Sequence, residues 1–197
     1  MASPPPTTTT LPVLPLPHPL ILLPTARITL PVHRATGDAL LSLVQQSETQ
    51  PVIAAVPLNP QDASLHSWGT AARIVRLIRP PLRNPKQPFL LSLHGVARVR
   101  LVGEHPCEPI STDAVLEREV EYPGPEGVPA MDSVVKFKAA SLRLLELLAK
   151  DTSHQAKRDT YRKVADMLED TADEKTAWMA DVLVSSINGE YADKLGE

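Results

Sequence analysis

Tyr122-Pro123-Gly124-Pro125-Glu126-Gly127 decides the fold, because the chain follows different rules on its two sides. Before it, residues 115–122 alternate: Leu116, Val120 and Tyr122 share one face, and Glu117, Glu119 and Glu121 share the other. Alternation of this kind is the mark of a half-buried strand. After it, Val134, Phe137, Ala140, Leu144 and Leu148 follow at steps of three and four, as on one face of a helix. Asp132 and Ser133 are the available caps for that helix. Tyr161, Val164, Ala165 and Leu168 repeat the pattern, as do Met179, Val182, Leu183 and Ile187, with Gly189 placed to end the third helix. A Pro/Gly cluster between two such regimes marks a domain boundary. The sequence therefore predicts an α+β chain, with a β-rich lobe over residues 11–124 and a helical subdomain over residues 125–197.

Working back from the boundary, the lobe reads as about six strands and one short helix. Ile28, Leu30 and Val32 alternate, while Val13, Leu14 and Leu16 sit among prolines, as in an edge or irregular strand. Thr36-Gly37-Asp38 ahead of Leu40, Leu41 and Val44 suggests a short helix capped by Thr36. The apolar run at residues 52–56 suits a strand buried on both faces, and residues 57–67 suit a loop. Residues 69–79 are ambiguous. Arg73, Arg76 and Arg79 recur at a helical step, but the β-branched content and the stop at Pro80-Pro81 favour a strand. Residues 89–93 and 97–102 read as two strands joined by a turn at His94-Gly95. Residues 1–10 read as a disordered leader of Pro, Thr, Ser and Ala, lacking the pattern of a signal or transit peptide. Residues 190–197 read as the start of a helix that stops short, so the native chain is expected to continue past Glu197.

Composition narrows the function classes. The 197 residues are 43% hydrophobic and 22% charged, which suits a folded domain. No apolar run approaches the ~20 residues of a spanning helix, so no membrane partner is expected. The single cysteine, Cys107, rules out an internal disulfide. The eight glycines form no phosphate-cradling loop ahead of a Lys, and no G-x-S-x-G or Ser and Lys pairing offers a nucleophile. The six histidines contain no H-E-x-x-H, and His105 and Cys107 are too close in sequence for a nucleophile and its base. The chain is therefore expected to hold no catalytic, metal or cofactor residue. Residues 69–103 carry Arg73, Arg76, Arg79, Arg83, Lys86, Arg98 and Arg100 and no acid, although the whole chain has a net charge of −3. Such a block can bind nucleic acid. Phe89 is its one aromatic, so base stacking has little support, and a solvated sheet face set partly against Glu117, Glu119 and Glu121 is the better reading.

Four short motifs add a resemblance. Leu11-Pro12-Val13-Leu14-Pro15-Leu16 is followed by Leu20-Ile21-Leu22-Leu23-Pro24-Thr25, then by Gly69-Thr70-Ala71-Ala72-Arg73-Ile74, then by Gly95-Val96-Ala97-Arg98 with Leu93 before it. In order and spacing they resemble the amino-terminal domain of Lon proteases. They match its L-P-[VIL]-L-P-L strand, its apolar stretch ending in Pro-Gly, its G-T-x-A-x-I element and its G-x-x-R hairpin. Thr25 stands where that family has glycine. The resemblance implies a PUA-like β lobe followed by helices, a non-catalytic region that recognises unfolded or damaged proteins and helps assemble a homo-hexamer. ATP, Mg and the catalytic Ser and Lys would belong to domains not present here. It also implies a shallow apolar groove, for which Leu20, Leu22, Leu30, Leu58 and Trp68 are the candidates, since apolar residues at loop edges are those a core leaves exposed. The opening motif and the variable loop at residues 80–88 resemble the peroxisomal branch, which places the protein in the peroxisomal matrix, with cytosol and mitochondrial matrix as alternatives. A stand-alone Lon-domain protein and a PUA-like RNA-binding module are the competing classes.

Overall fold

The computed structural model describes residues 7–80, 88–103, 116–123 and 129–187. The chain divides into two compact units, one built on strands and one on helices. The strand unit contains β1 (Thr7–Leu16), β2 (Arg27–Val32), α1 (Arg34–Gln46), β3 (Val52–Pro57), β4 (Trp68–Ile78), β5 (Phe89–Leu101) and β6 (Leu116–Tyr122). Among the described residues these six strands form one sheet in the order β2-β5-β4-β3-β1-β6, and a further β5–β6 pairing closes five of them into a ring. With four α-helices also among the described residues, the chain is of the mixed α+β class.

β3 lies inside the sheet, parallel to β1 and antiparallel to β4. Ile53 and Ala55 enter one apolar cluster, and Ala54 and Val56 enter another. This is the two-faced burial that its unbroken apolar run requires. The first cluster is lined by Leu14, Leu30, Leu40, Ile74, Leu91 and Leu93, and the second by Val13, Leu58, Leu65, Val99, Leu101 and Val120.

β5 departs from the expected hairpin. It is one strand of 13 residues, with no turn at His94-Gly95. Ala72 pairs with Gly95 and Ala71 with Ala97, which leaves Val96 as the extra residue of a β-bulge. Because side-chain direction has a period of two, that one residue switches the buried positions to the opposite side of the sheet. Phe89, Leu91 and Leu93 therefore pack in the first cluster, and Val99 and Leu101 in the second. Gly95 is required by crowding. A Cβ there would stand 2.2 Å from the Leu23 carbonyl oxygen, in a segment whose Thr25 N–H donates to Gly95 O (3.0 Å) and whose Ala26 O accepts from Gly95 N (2.9 Å).

A second bulge explains the three-residue step of the arginines. Ile74 pairs with Leu93 and Arg76 with Ser92, so Val75 is extra. Arg73 and Arg76 thus share one exposed face of a strand, as a helix would also have placed them.

Two further expectations are corrected, and one departure from the family pattern is accounted for. The leader does not run through residue 10: Thr7–Leu16 is strand, with Thr7 opposite Tyr122 and Thr10 opposite Glu119. Consecutive β-branched threonines favour extended backbone, and β6 offers them a partner. Thr36 is not a cap: α1 begins at Arg34, and Thr36 lies buried in its first turn beside Gly37, whose hydrogen faces the Phe89 ring. The turn at Thr25 forms without glycine. Ala26 N donates to Leu23 O (3.1 Å) around Pro24, and Thr25 takes φ 68°. That is the positive-φ position of a type II turn, held here by a β-branched residue.

The helical unit comprises α2 (Met131–Asp151), α3 (Gln155–Asp170), a 3-10 turn (Asp173–Lys175) and α4 (Thr176–Ser186). Leu145, Tyr161, Val164, Leu168, Met179, Val182 and Leu183 form its core. Neither expected residue caps α2. Ala130 is its N-cap, and Asp132, inside the first turn, pairs with Lys136 at 2.6 Å. Lys138 ties α2 to the following corner through Thr171 O (2.8 Å) and Asp173 (2.7 Å). Gly189 and the helix expected at residues 190–197 lie outside the described residues, as do His105, Cys107 and most of the boundary cluster.

Candidate functional site

The five candidate groove residues do not form a groove. Leu22 and Leu30 are in the first cluster, with Leu20 packed against it, and Leu58 is in the second. Leu22, Leu30 and Leu58 are 2%, 4% and 7% exposed, so the two cores of the lobe claim them. Hydrophobicity at a loop edge was their common signal, and it does not distinguish a core residue folded back under a loop from one left at the surface. Trp68 differs, with 48% of its surface exposed.

Trp68 opens β4, at the end of a loop built to be rigid. Leu58 and Leu65 bridge, Asn59 N donates to Ser64 O (2.8 Å), and the Asp62 carboxylate accepts from Ser64 N (2.9 Å) and Ser64 Oγ (2.7 Å). The hydroxyl bond from Ser64 is the first cause holding the Asp62 carboxyl below its ordinary range. Ala63 completes the loop at φ 54°. Across the sheet Trp68 faces Arg100, and Arg100 faces Glu121 of β6. The Arg100–Glu121 register is the Arg-against-Glu arrangement expected for a solvated face. An indole with a guanidinium beside it can cover an apolar side chain while its rim stays hydrated.

A second surface was only half visible in the sequence. On the exposed side of β2, β5 and β4, Arg27 is opposite His94 and His94 is opposite Arg73, one row across three strands. The next row is Thr29, Ser92 and Arg76, with Thr29 Oγ1 2.8 Å from Ser92 Oγ. The basic block announced Arg73 and Arg76. Arg27 joins them only through strand pairing, and the bulge at Val75 decides that Arg76 shares the face of Arg73. His94 Nδ1 lies 3.3 Å from Ala26 O, which holds the ring in place.

In the helical unit a groove of about 760 Å³ runs along α2 and α3, with Leu145, Tyr161 and Ala165 inside and Lys150, Arg162, Glu146 and Asp166 at its rim. Lys150 is 2.7 Å from Glu146, and that pairing holds the Glu146 carboxyl below its ordinary range. The rim therefore selects no sign of charge. Among the described residues no three His, Cys, Asp or Glu side chains gather as metal ligands, and no helix is long and apolar enough to cross a membrane.

A ring of strands closed through one long bulged strand, carrying an exposed tryptophan and followed by a helical unit, defines a mixed α+β binding domain. The chain belongs to the substrate-binding domain family of ATP-dependent protease La (Lon), whose pattern matches residues 10–196. Among solved structures it is similar to the N-terminal domain of the Mycobacterium avium complex Lon protease, at 17% identity over 95% of each chain with a TM-score of 0.56. The Lon N-terminal domain protein of Xanthomonas campestris is 16% identical over 87% of this chain and 96% of that one, with a TM-score of 0.49. No curated protein sequence matches the chain.

Proposed function

We propose that this chain is the substrate-recognition region of an ATP-dependent Lon-type protease, acting in protein quality control by capturing unfolded or damaged polypeptides. The observation that carries the reading is membership of the Lon substrate-binding family across residues 10–196. The chain itself takes no part in cutting. Nucleotide, Mg and the peptidase nucleophile belong to other domains of the parent, which assembles as a hexamer, and several weak sites then act together through avidity. The peroxisomal matrix is the proposed compartment, on the strength of the opening motif and the loop at residues 80–88. Fluorescence imaging of the tagged full-length protein against peroxisomal and mitochondrial markers tests that assignment.

Trp68 is the proposed apolar contact, in place of the five-residue groove. Binding of the chain to a reduced, carboxymethylated protein is the measurement, compared with binding to the same protein in its native fold. The unfolded form is expected to bind preferentially, and Trp68→Ala is expected to weaken that binding about tenfold, in the range of a truncated aromatic anchor. Equal binding of both forms would remove the recognition role. Preferential binding untouched by Trp68→Ala would move the contact elsewhere.

A further inference from the structure

We propose that the exposed face of β2, β5 and β4 is a docking surface for acidic polypeptide segments, with Arg27, Arg73, Arg76 and His94 as its contacts. The proposal rests on the substrate-recognition reading and names a class of substrate for it. Three guanidiniums and an imidazole occupy two adjacent rows of three neighbouring strands. Neighbouring strands lie about 4.8 Å apart and same-face residues within a strand about 6.8 Å apart, so the cations form a compact lattice. Arg27, Arg73 and Arg76 are exposed, and among the described residues none of them forms an ion pair with an acid. Arg100, by contrast, is placed opposite Glu121. Here the cross-strand partners are cationic or hydroxylic, and the Thr29–Ser92 pair adds one free hydroxyl donor between the charges.

Carboxylates suit this surface better than nucleic acid. A guanidinium receives a carboxylate through two parallel hydrogen bonds, and the one hydroxyl proton of the Thr29–Ser92 pair not used between them can be donated to a remaining acceptor site. A base-reading surface needs planar side chains on which to stack, and this face presents none of the chain's Phe, Tyr or Trp residues among those described. An extended chain with Asp or Glu at every second or third position would lay its charges at the pitch of the lattice. This face and the Trp68 surface then read different features of an unfolded chain, its charge and its apolar side chains.

The test uses the whole chain and three fluorescent probes: a Glu/Asp-rich peptide, a Gln/Asn peptide of the same length, and a single-stranded oligonucleotide. The acidic peptide is expected to bind more tightly than the neutral one and to weaken about tenfold between 50 and 200 mM salt. Arg73→Glu with Arg76→Glu is expected to abolish measurable binding. Lys157→Glu with Lys163→Glu, an equal change of net charge on exposed positions of α3, is expected to leave it within about twofold. Circular dichroism of each variant establishes that it is folded. Equal loss in both double variants would reduce the effect to net charge and overturn the docking face. Tighter binding of the oligonucleotide than of the peptide would overturn the choice of partner. If the unfolded protein still binds while the acidic peptide does not, this inference fails and the recognition role stands.

Discussion

Thr25 shows what one side chain can cost. With φ 68° it occupies backbone where an L-residue bearing a Cβ is strained by about 1–2 kcal/mol, yet the turn around Pro24 is kept because Thr25 N–H and Ala26 O are both bonded to Gly95. Removing the Cβ relieves that strain, against a smaller entropic cost of glycine in the unfolded chain. Thr25→Gly is expected to raise the unfolding free energy by about 1 kcal/mol, read from a urea midpoint at constant slope. A lower midpoint would mean that the threonine side chain makes a contact worth more than the strain. The family pattern marked this position correctly as a special turn. It could not say that the turn survives without glycine, because the anchor is Gly95, seventy residues away in the chain.

At the scale of elements, β5 carries the main lesson. Its odd-numbered residues from Phe89 to Leu101 look like one continuous apolar stripe broken by a glycine, and a turn is the natural reading of that break. The bulge at Val96 is invisible to pattern because it changes direction without changing composition. Two halves of the strand were therefore legible, with their facing within each half, while their connection was not. The same limit applied to β4, where a bulge mimicked a helical period, although β-branched content still pointed to a strand. Periodicity located β2, β6 and the stripes of α3 and α4 more simply, because each buries a single face. In α2 the buried positions are Val134, Ser141 and Leu145, while Ala140 and Leu144 of the expected stripe are exposed. In the candidate site, Trp68 was legible as a large apolar residue beside a loop. The burial of Leu22, Leu30 and Leu58 was not, since it depends on which segments fold over them.

The bulge makes a sharp prediction. Deleting Val96 would leave Gly95 opposite Ala72 and Ala97 opposite Ala71 in plain alternation, so Val99 and Leu101 would keep the second cluster and only the bulge with its added twist would be lost. The deletion is therefore expected to leave a folded lobe, with amide shift dispersion kept and a stability loss of about 1–3 kcal/mol for the lost bend. Val96→Ala, which keeps the residue count at a site 44% exposed, is expected to change stability by no more than about 0.5 kcal/mol. A deletion variant with no folded lobe would show that the bend of the bulge, and not the pairing alone, is needed to close the ring.

Across the whole molecule, stability is distributed among three apolar clusters, two in the strand unit and one in the helical unit. The helical cluster is centred on side chains such as Leu168, which is 0% exposed. Leu168→Ala is expected to destabilise that unit by about 3 kcal/mol, the usual cost of a buried leucine truncation, with faster hydrogen exchange along α3 as the readout. Unchanged exchange would mean that the cluster collapses around the missing atoms. Charge is uneven on the same scale. A chain of net charge −3 still sets Arg27, Arg73 and Arg76 on one sheet face, so its overall charge misstates what an approaching polypeptide meets at β2, β5 and β4.

β5 also constrains how this lobe can change over evolutionary time. Most sheet proteins accept insertions and deletions at their loops and single substitutions in their strands, and they drift by both routes. Here one strand serves two interiors, and the bulge at Val96 takes up the residue by which the spacing of Leu93 and Val99 exceeds plain alternation. One residue can therefore be lost at Val96 without changing which side chains either interior receives, whereas the crowding at Gly95 admits no side chain, so identity at Gly95 should be inherited more faithfully than length beside it. A lineage comparison that treated every gap within a strand as disruptive would misjudge this position, where a gap is absorbed by the loss of a bulge.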